Sequence, residues 1–316
     1  MRWRTAPIIA LASILATMPL AHGRTDDTPL DTRWLDEAWD FERPAESEVR
    51  FSRQLESLPR ESVARLELST QIARAQGLQR QFDAAHATLD RIEKALVGRP
   101  SRATLRYLLE RGRLYNSSSK PERAVPLFRD ALDRAREADE DFLAIDAAHM
   151  LGIASPPTER LQWNLEALAM TEKTDDVRSK RWLASLYNNI GWTYHDRGEY
   201  AAALAYFEKA LPAWQARGGA INVRTAYWSI ARAYRSLGRL DDALAIQARL
   251  AGEAAEANTP DGFVYEELGE LLLAKGDADA ARPNFARAFA LLERDKGLKA
   301  SAPDRLARLK RLGGVQ

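Results

Sequence analysis

The sequence predicts an all-α protein, a right-handed superhelical solenoid of about six helix-turn-helix repeats with capping helices at both ends. Three observations predict it. Tyr187–Leu211 holds a complete helical hairpin in one run, and its spacing of small and large residues recurs on both sides at intervals of 36 to 43 residues. Glycines also recur where hairpins turn, at Gly198, Gly238 and Gly276.

Within the central hairpin, Tyr187, Ile190, Gly191 and Tyr194 fall at i, i+3, i+4 and i+7, one helical face. Ala203, Phe207, Ala210 and Leu211 form a second face, and Asp196-Arg197-Gly198 makes the turn between them. Gly191, Ala203 and Ala210 let two antiparallel helices approach closely, while the aromatic and Ile side chains fill the volume beside them.

Equivalents of Gly191 stand at Ala73, Gly112, Ala148, Ala231 and Gly269, giving successive spacings of 39, 36, 43, 40 and 38 residues. A second small residue follows twelve places later at Ala85, Ala124, Ala203, Ala243 and Ala281; the third copy has Arg160 instead. A third follows after seven more at Ala131, Ala167, Ala210 and Ala288, with Ile92 and Leu250 in the first and fifth copies. The repeat array is therefore expected over 63–295.

The ends differ in character. Residues 1–23 place Arg2 and Arg4 before an apolar run from Ala6 to Leu20, then small residues before a break at Gly23, the layout of a signal peptide. Export is expected, to a periplasm or out of the cell. Residues 24–62 are expected to be a polar linker followed by two capping helices, one with Trp34, Leu35, Ala38 and Trp39 on a face, the other with Val49, Phe51, Leu55 and Leu58, stopping at Pro59. Residues 296–316 carry Leu306, Leu309 and Leu312 on one side of a helix and Arg305, Arg308, Lys310 and Arg311 around it, a polar-backed cap for the far end of a solenoid.

This pattern resembles the tetratricopeptide repeat, a helix-turn-helix unit with an aromatic or Leu, then Gly, Tyr, Ala, Phe and Ala at fixed offsets. The likeness is fullest in Tyr187/Gly191/Tyr194/Ala203/Phe207/Ala210, Tyr227/Ala231/Tyr234/Ala243 and Tyr265/Gly269/Leu272/Ala281/Phe285/Ala288. The period exceeds the family's usual length, and Thr171 to Lys180, charged and without apolar period, is the longest expected link. The resemblance implies a scaffold that binds a protein or peptide in its concave groove. The family's carboxylate clamp is not reproduced: Asn189 matches a common family asparagine, but Trp192 stands where another is usual.

Nothing in the sequence supplies chemistry. There is no cysteine, and after removal of 1–23 only His86, His149 and His195 remain, each in a different repeat. Neither a metal-ligand spacing, a nucleophile elbow nor a phosphate-cradling glycine loop is present, so no enzyme, metal or cofactor is expected. Loss of 1–23 would leave 44 basic and 45 acidic residues, a net charge of −1, which recruits neither nucleic acid nor a membrane surface.

The binding face is expected on the first helix of each repeat, at positions not used in packing. These are Arg106, Leu109, Arg113 and Asn116 in the second copy; Ser185, Asn188, Trp192 and His195 in the fourth; Thr225, Trp228, Arg232 and Arg235 in the fifth; Arg74 and His149 join from the first and third. Across the first five copies the stripe holds five arginines and one acid, Glu67. Arginine grips carboxylates through two bonds and tryptophan supplies flat apolar area. The expected partner is thus a peptide with acidic residues and an apolar anchor; the alternative is a small anionic ligand, sensed on behalf of a membrane partner.

Overall fold

The computed structural model describes residues 28–96 and 101–316, and the expected signal peptide at 1–23 lies outside them. The described residues contain no strand. Two helices, α1 (Thr32–Ala38) and α2 (Pro44–Ser57), precede three hairpins: α3 (Val63–Leu78) with α4 (Phe82–Leu96), α5 (Arg102–Ser117) with α6 (Pro121–Glu137), and α7 (Asp141–Ala154) with α8 (Pro157–Lys173). After a short α9 (Val177–Lys180) come α10 (Leu183–Asp196) with α11 (Tyr200–Arg217), α12 (Ala220–Ser236) with α13 (Leu240–Glu256), and α14 (Gly262–Ala274) with α15 (Ala278–Leu292); α16 (Lys296–Ser301) and α17 (Pro303–Leu312) follow.

Local chemistry sets these boundaries. Side chains of Asp31, Ser62, Asp176, Asp261, Asp277 and Asp295 accept backbone N–H groups at the starts of α1, α3, α9, α14, α15 and α16. Proline opens α2, α6, α8 and α17, where its missing N–H is not needed. Five hairpins turn through a residue of positive φ seven places after the small anchor: Arg80, Ser119, Gly198, Gly238 and Gly276. The left-handed turn is therefore common to glycine and non-glycine copies. The third hairpin instead turns through an extended Ser155 and Pro156.

Packing follows the small-to-large pairing. A Cβ on Gly112, Gly191 or Gly269 would lie 2.5, 2.5 or 2.7 Å from a ring carbon of Phe128, Phe207 or Phe285 respectively. In the third hairpin the turn is one residue shorter and the close approach moves to Gly152, under Asn164; Ala148 is still fully buried, one turn earlier. Each second helix packs on the first helix of the next hairpin, and α3 also packs on α5, α5 on α7 and α12 on α14. The apolar core is accordingly a string of clusters passed from hairpin to hairpin rather than one centre.

Both ends are covered. Leu306 and Leu309 of α17 join the core of the last hairpin, while Arg305 and Arg308 pair with Glu266 and Glu270 of α14. At the other end Phe51 of α2 is wholly buried with Leu68 and Ile72 of α3. Val49 does not share that face: Ser47 and Phe51, one turn apart, take the inward side, and Val49 is 50% exposed. The link at 171–180 is shorter than its composition suggests, since α8 continues to Lys173. Lys180 Nζ then donates to the carbonyls of Thr171 and Glu172, closing the C-terminal end of α8.

Candidate functional site

First helices α3, α5, α7, α10 and α12 carry the predicted stripe, and most of its residues link one hairpin to the next. A rule emerges from their positions. At four junctions the residue just after the small anchor meets the residue two places before the next anchor. Arg74 reaches Glu110 at 3.5 Å, Arg113 binds Asp146, Arg232 donates to Glu267 at 3.0 Å, and the His149 ring contacts Asn189 at 3.1 Å. Other stripe residues make further links: Arg106 to Glu67 at 2.8 Å, Arg235 to Glu267 at 2.5 Å, His195 to Ser236 at 3.0 Å, and Trp228 Nε1 to the Phe263 carbonyl at 3.2 Å.

These contacts correct the charge reading of the stripe. Its arginines do not face an acid-free groove, because Glu110, Asp146 and Glu267, which are not stripe positions, meet them. A search for acids two places before each anchor would have found all three. Asn116 and Asn188 remain half-buried, and Trp192 and Trp228 bring their rings within 5.7 Å of one another.

The strongest electrostatic cluster joins α5 to α7. Arg113 Nη1 donates to Glu110 Oε1 at 2.7 Å, and Nη2 donates to Asp146. Both acids are buried, with side chains 3% and 5% exposed. Burial alone would raise the Asp146 carboxyl, but Arg113 and then Arg74 hold it below the ordinary carboxylate range. Glu267 shows the opposite balance: burial raises it although Arg235 lies beside it.

His149, its ring tilted against Trp182 with centroids 4.8 Å apart, is pushed down to about 4 from 6.5 by burial, with Asp146 opposing and Arg113 and Arg74 adding to the shift. Between those pH values the unfolded chain binds a proton that the folded chain does not. Stability is thus complete above about pH 6.5 and falls as pH drops toward 4, by about 3 kcal/mol at full effect. His149→Asn should flatten that slope in urea midpoints taken at pH 7 and pH 4.5; a slope equal to the wild type's would contradict the assignment.

The inner wall of the first three hairpins is already occupied. Helix α1 does more than cap α3: it crosses to α9, where Asp36 accepts two bonds from Arg178, at 2.9 and 2.8 Å, and one from Arg181 at 3.0 Å. Leu35 is 1% exposed, and Trp39 Nε1 donates to Gln71 of α3 at 3.1 Å. Trp39 stacks on Phe41 at 4.5 Å, and Arg74 lies over both rings. A cavity of about 110 Å³ remains beneath this segment, lined in part by Arg74, Arg106, Arg178 and Arg217. No spacing rule within the sequence signals a contact across 142 residues; it arises because the superhelix turns α9 toward the chain's start.

The wall over the last three hairpins is open. Trp192 and Trp228 are half-buried, and beside Trp228 a second cavity of about 340 Å³ is lined by Ile221, Thr225, Leu250, Phe263 and Val264. Ile221 and Phe263 are exposed, at 48% and 36%. No group of three or more His, Cys, Asp or Glu suited to a metal occurs among the described residues, and none of their helices is long and apolar enough to cross a membrane.

Residues 165–251 match the family model described as tetratricopeptide repeat. Solved structures with the same fold include PilW, a type IV pilus biogenesis factor, at 21% identity and TM-score 0.55, covering 77% of this chain and 97% of that one. The apo form of the quorum sensor NprR from B. thuringiensis is similar at 16% identity and TM-score 0.55, covering 89% and 84%. A tetratricopeptide repeat protein from Parabacteroides merdae matches at 16% identity and TM-score 0.53, covering 89% and 98%. At such identities the likeness is one of fold. No curated protein matches the chain.

Proposed function

We propose that this chain, a tetratricopeptide-repeat protein, is an exported, non-catalytic scaffold that binds a segment of another protein along its concave wall. The observation that carries the reading is the open half of that wall. Trp192 and Trp228 stand side by side on adjacent first helices, next to a cavity edged by the exposed Ile221 and Phe263. Half-buried tryptophans beside an apolar pocket are the arrangement that concentrates binding energy in protein interfaces. The surrounding arginines are held in place by Glu267, so they orient a partner's carboxylates without themselves needing to be ordered on binding. Export rests on the signal-peptide layout of 1–23.

The test is capture from cell-envelope extract by the wild-type chain and by Trp192→Ala and Trp228→Ala, followed by titration with the purified partner. Each substitution is expected to weaken that partner at least tenfold, since truncating a central aromatic typically costs about 2 kcal/mol or more. Equal affinity for wild type and both variants would place the binding surface away from this wall.

A further inference from the structure

Building on the scaffold reading, we infer that α1 is an internal copy of the ligand: the partner segment is a short helix with an acidic residue between apolar anchors, and it docks by displacing α1 from Arg178 and Arg181. The sequence of the occupant states the chemistry. Leu35 and Ala38 share one face of α1, Asp36 stands beside that face, and Trp39 follows as the extended cap of its C-terminal end. Leu35 and Ala38 are buried against the wall, Asp36 enters the two-arginine site and Trp39 reaches Gln71 and Arg74. On the outward side, the side chains of Arg33 and Glu37 are 89% and 68% exposed and make only a contact with each other.

Three features fit a displaceable occupant better than a permanent part of the core. Helix α1 spans seven residues, too short to be stable by itself, so its order depends on the wall. Its ion-paired hold on α9 is Asp36 alone, whose side chain is 23% exposed and open to water and to competition, while Trp39 Nε1 on Gln71 and Arg50 Nε on the Ala38 carbonyl tie its C-terminal end to α3 and α2. The occupant also leaves charge unmatched. Arg217 lines the same cavity and donates weakly, at 3.5 Å, to the Arg181 carbonyl, and among the described residues no carboxylate lies within salt-bridge distance of it. Burial and then Arg181 lower its pKa, and Asp36 opposes them only in part. A partner helix that reproduces Leu35, Asp36 and Trp39 and adds an acid facing Arg217 gains a contact that α1 lacks. That difference supplies the bias needed to exchange one occupant for the other.

The experiment uses the full chain and a labelled synthetic peptide with the sequence of residues 28–43. Wild type, with α1 in place, should bind the peptide at least tenfold more weakly than Asp36→Lys, whose reversed charge repels Arg178 and Arg181. Adding Arg178→Ala to the opened chain should weaken binding at least tenfold further, as should replacing the peptide's residues at positions 36 and 39 with alanine. A helical, folded Asp36→Lys chain that ignores the peptide, or one whose binding is unchanged by Arg178→Ala, would overturn the inference. Should that variant fail to fold, hydrogen exchange on wild type decides: α1 amides exchanging at least a hundredfold faster than those of α3 and α5 support a displaceable helix, and equal protection refutes it. Capture of the natural partner that depends on Trp192 and Trp228 but not on Arg178 would leave the scaffold reading standing and remove this one. Peptide binding to the opened chain, with capture of the natural partner unaffected by either tryptophan substitution, would do the reverse.

Discussion

Arg113→Ala is expected to cost about 3–5 kcal/mol, the penalty of leaving buried ionic groups without their partner. Arg113 is the single guanidinium that bridges Glu110 of its own helix to Asp146 of the next hairpin, and both acids are almost wholly buried. Arg74 cannot replace it, since its nearest approach to Glu110 is 3.5 Å and it is itself spread over Trp39 and Phe41. Without Arg113 the buried Asp146 carboxylate loses its main counter-charge and hydrogen bond beside Glu110, so burial raises its folded pKa above the unfolded one. The folded variant then binds more protons than the unfolded chain, and its deficit should shrink as pH falls from 7 to about 4.5. Urea denaturation followed by helicity at both pH values measures this directly. A loss under about 1 kcal/mol at pH 7, or a deficit that grows on acidification, would show that the bridge is incidental. Because the bridge joins α5 to α7, the defect should begin at that junction rather than spread evenly along the stack.

The repeat pattern was legible because it is local. Gly191 and Phe207 lie sixteen residues apart on one hairpin, and the same separation joins Gly112 to Phe128 and Gly269 to Phe285. It failed where the local chemistry changed: Asn164 replaces the phenylalanine in the third hairpin, Ser155-Pro156 shortens the turn, and the tight contact shifts to Gly152. The stripe was legible as a face but not as a set of bonds. Arg74, Arg113 and Arg232 read singly as free cations, and only the offset between one hairpin's anchor and the next reveals Glu110, Asp146 and Glu267 as their partners. The position of α1 was not legible at all. Asp36 and Arg178 meet because the accumulated rotation of three hairpins brings them together, and no period of the sequence encodes that sum.

Three glycines subjected to the same change to alanine should give three different results, and the contrast tests the packing account more sharply than any one of them. At Gly191 the new Cβ would sit 2.5 Å from Cε1 and 2.6 Å from Cδ1 of Phe207. That ring is fully buried, with Trp192 against it at 5.1 Å, so it has little room to retreat. Overpacking of this kind costs about 1–3 kcal/mol, and Gly191→Leu, which adds three more carbons to the same space, should exceed the upper figure. Gly198 has open space around it, yet its φ of 79° strains any side chain, so alanine there should cost about 1–2 kcal/mol through the backbone alone. Gly252, inside α13 with nothing within 4 Å of a new Cβ, should gain about 0.5–1 kcal/mol from alanine's better helix propensity. Phe207→Leu should recover part of the loss in Gly191→Ala and none of the loss in Gly198→Ala. Thermal melting of the four single variants and the two Phe207→Leu doubles gives the order, and a Gly191→Ala chain that melts with wild type would mean that α10 and α11 do not approach through this residue.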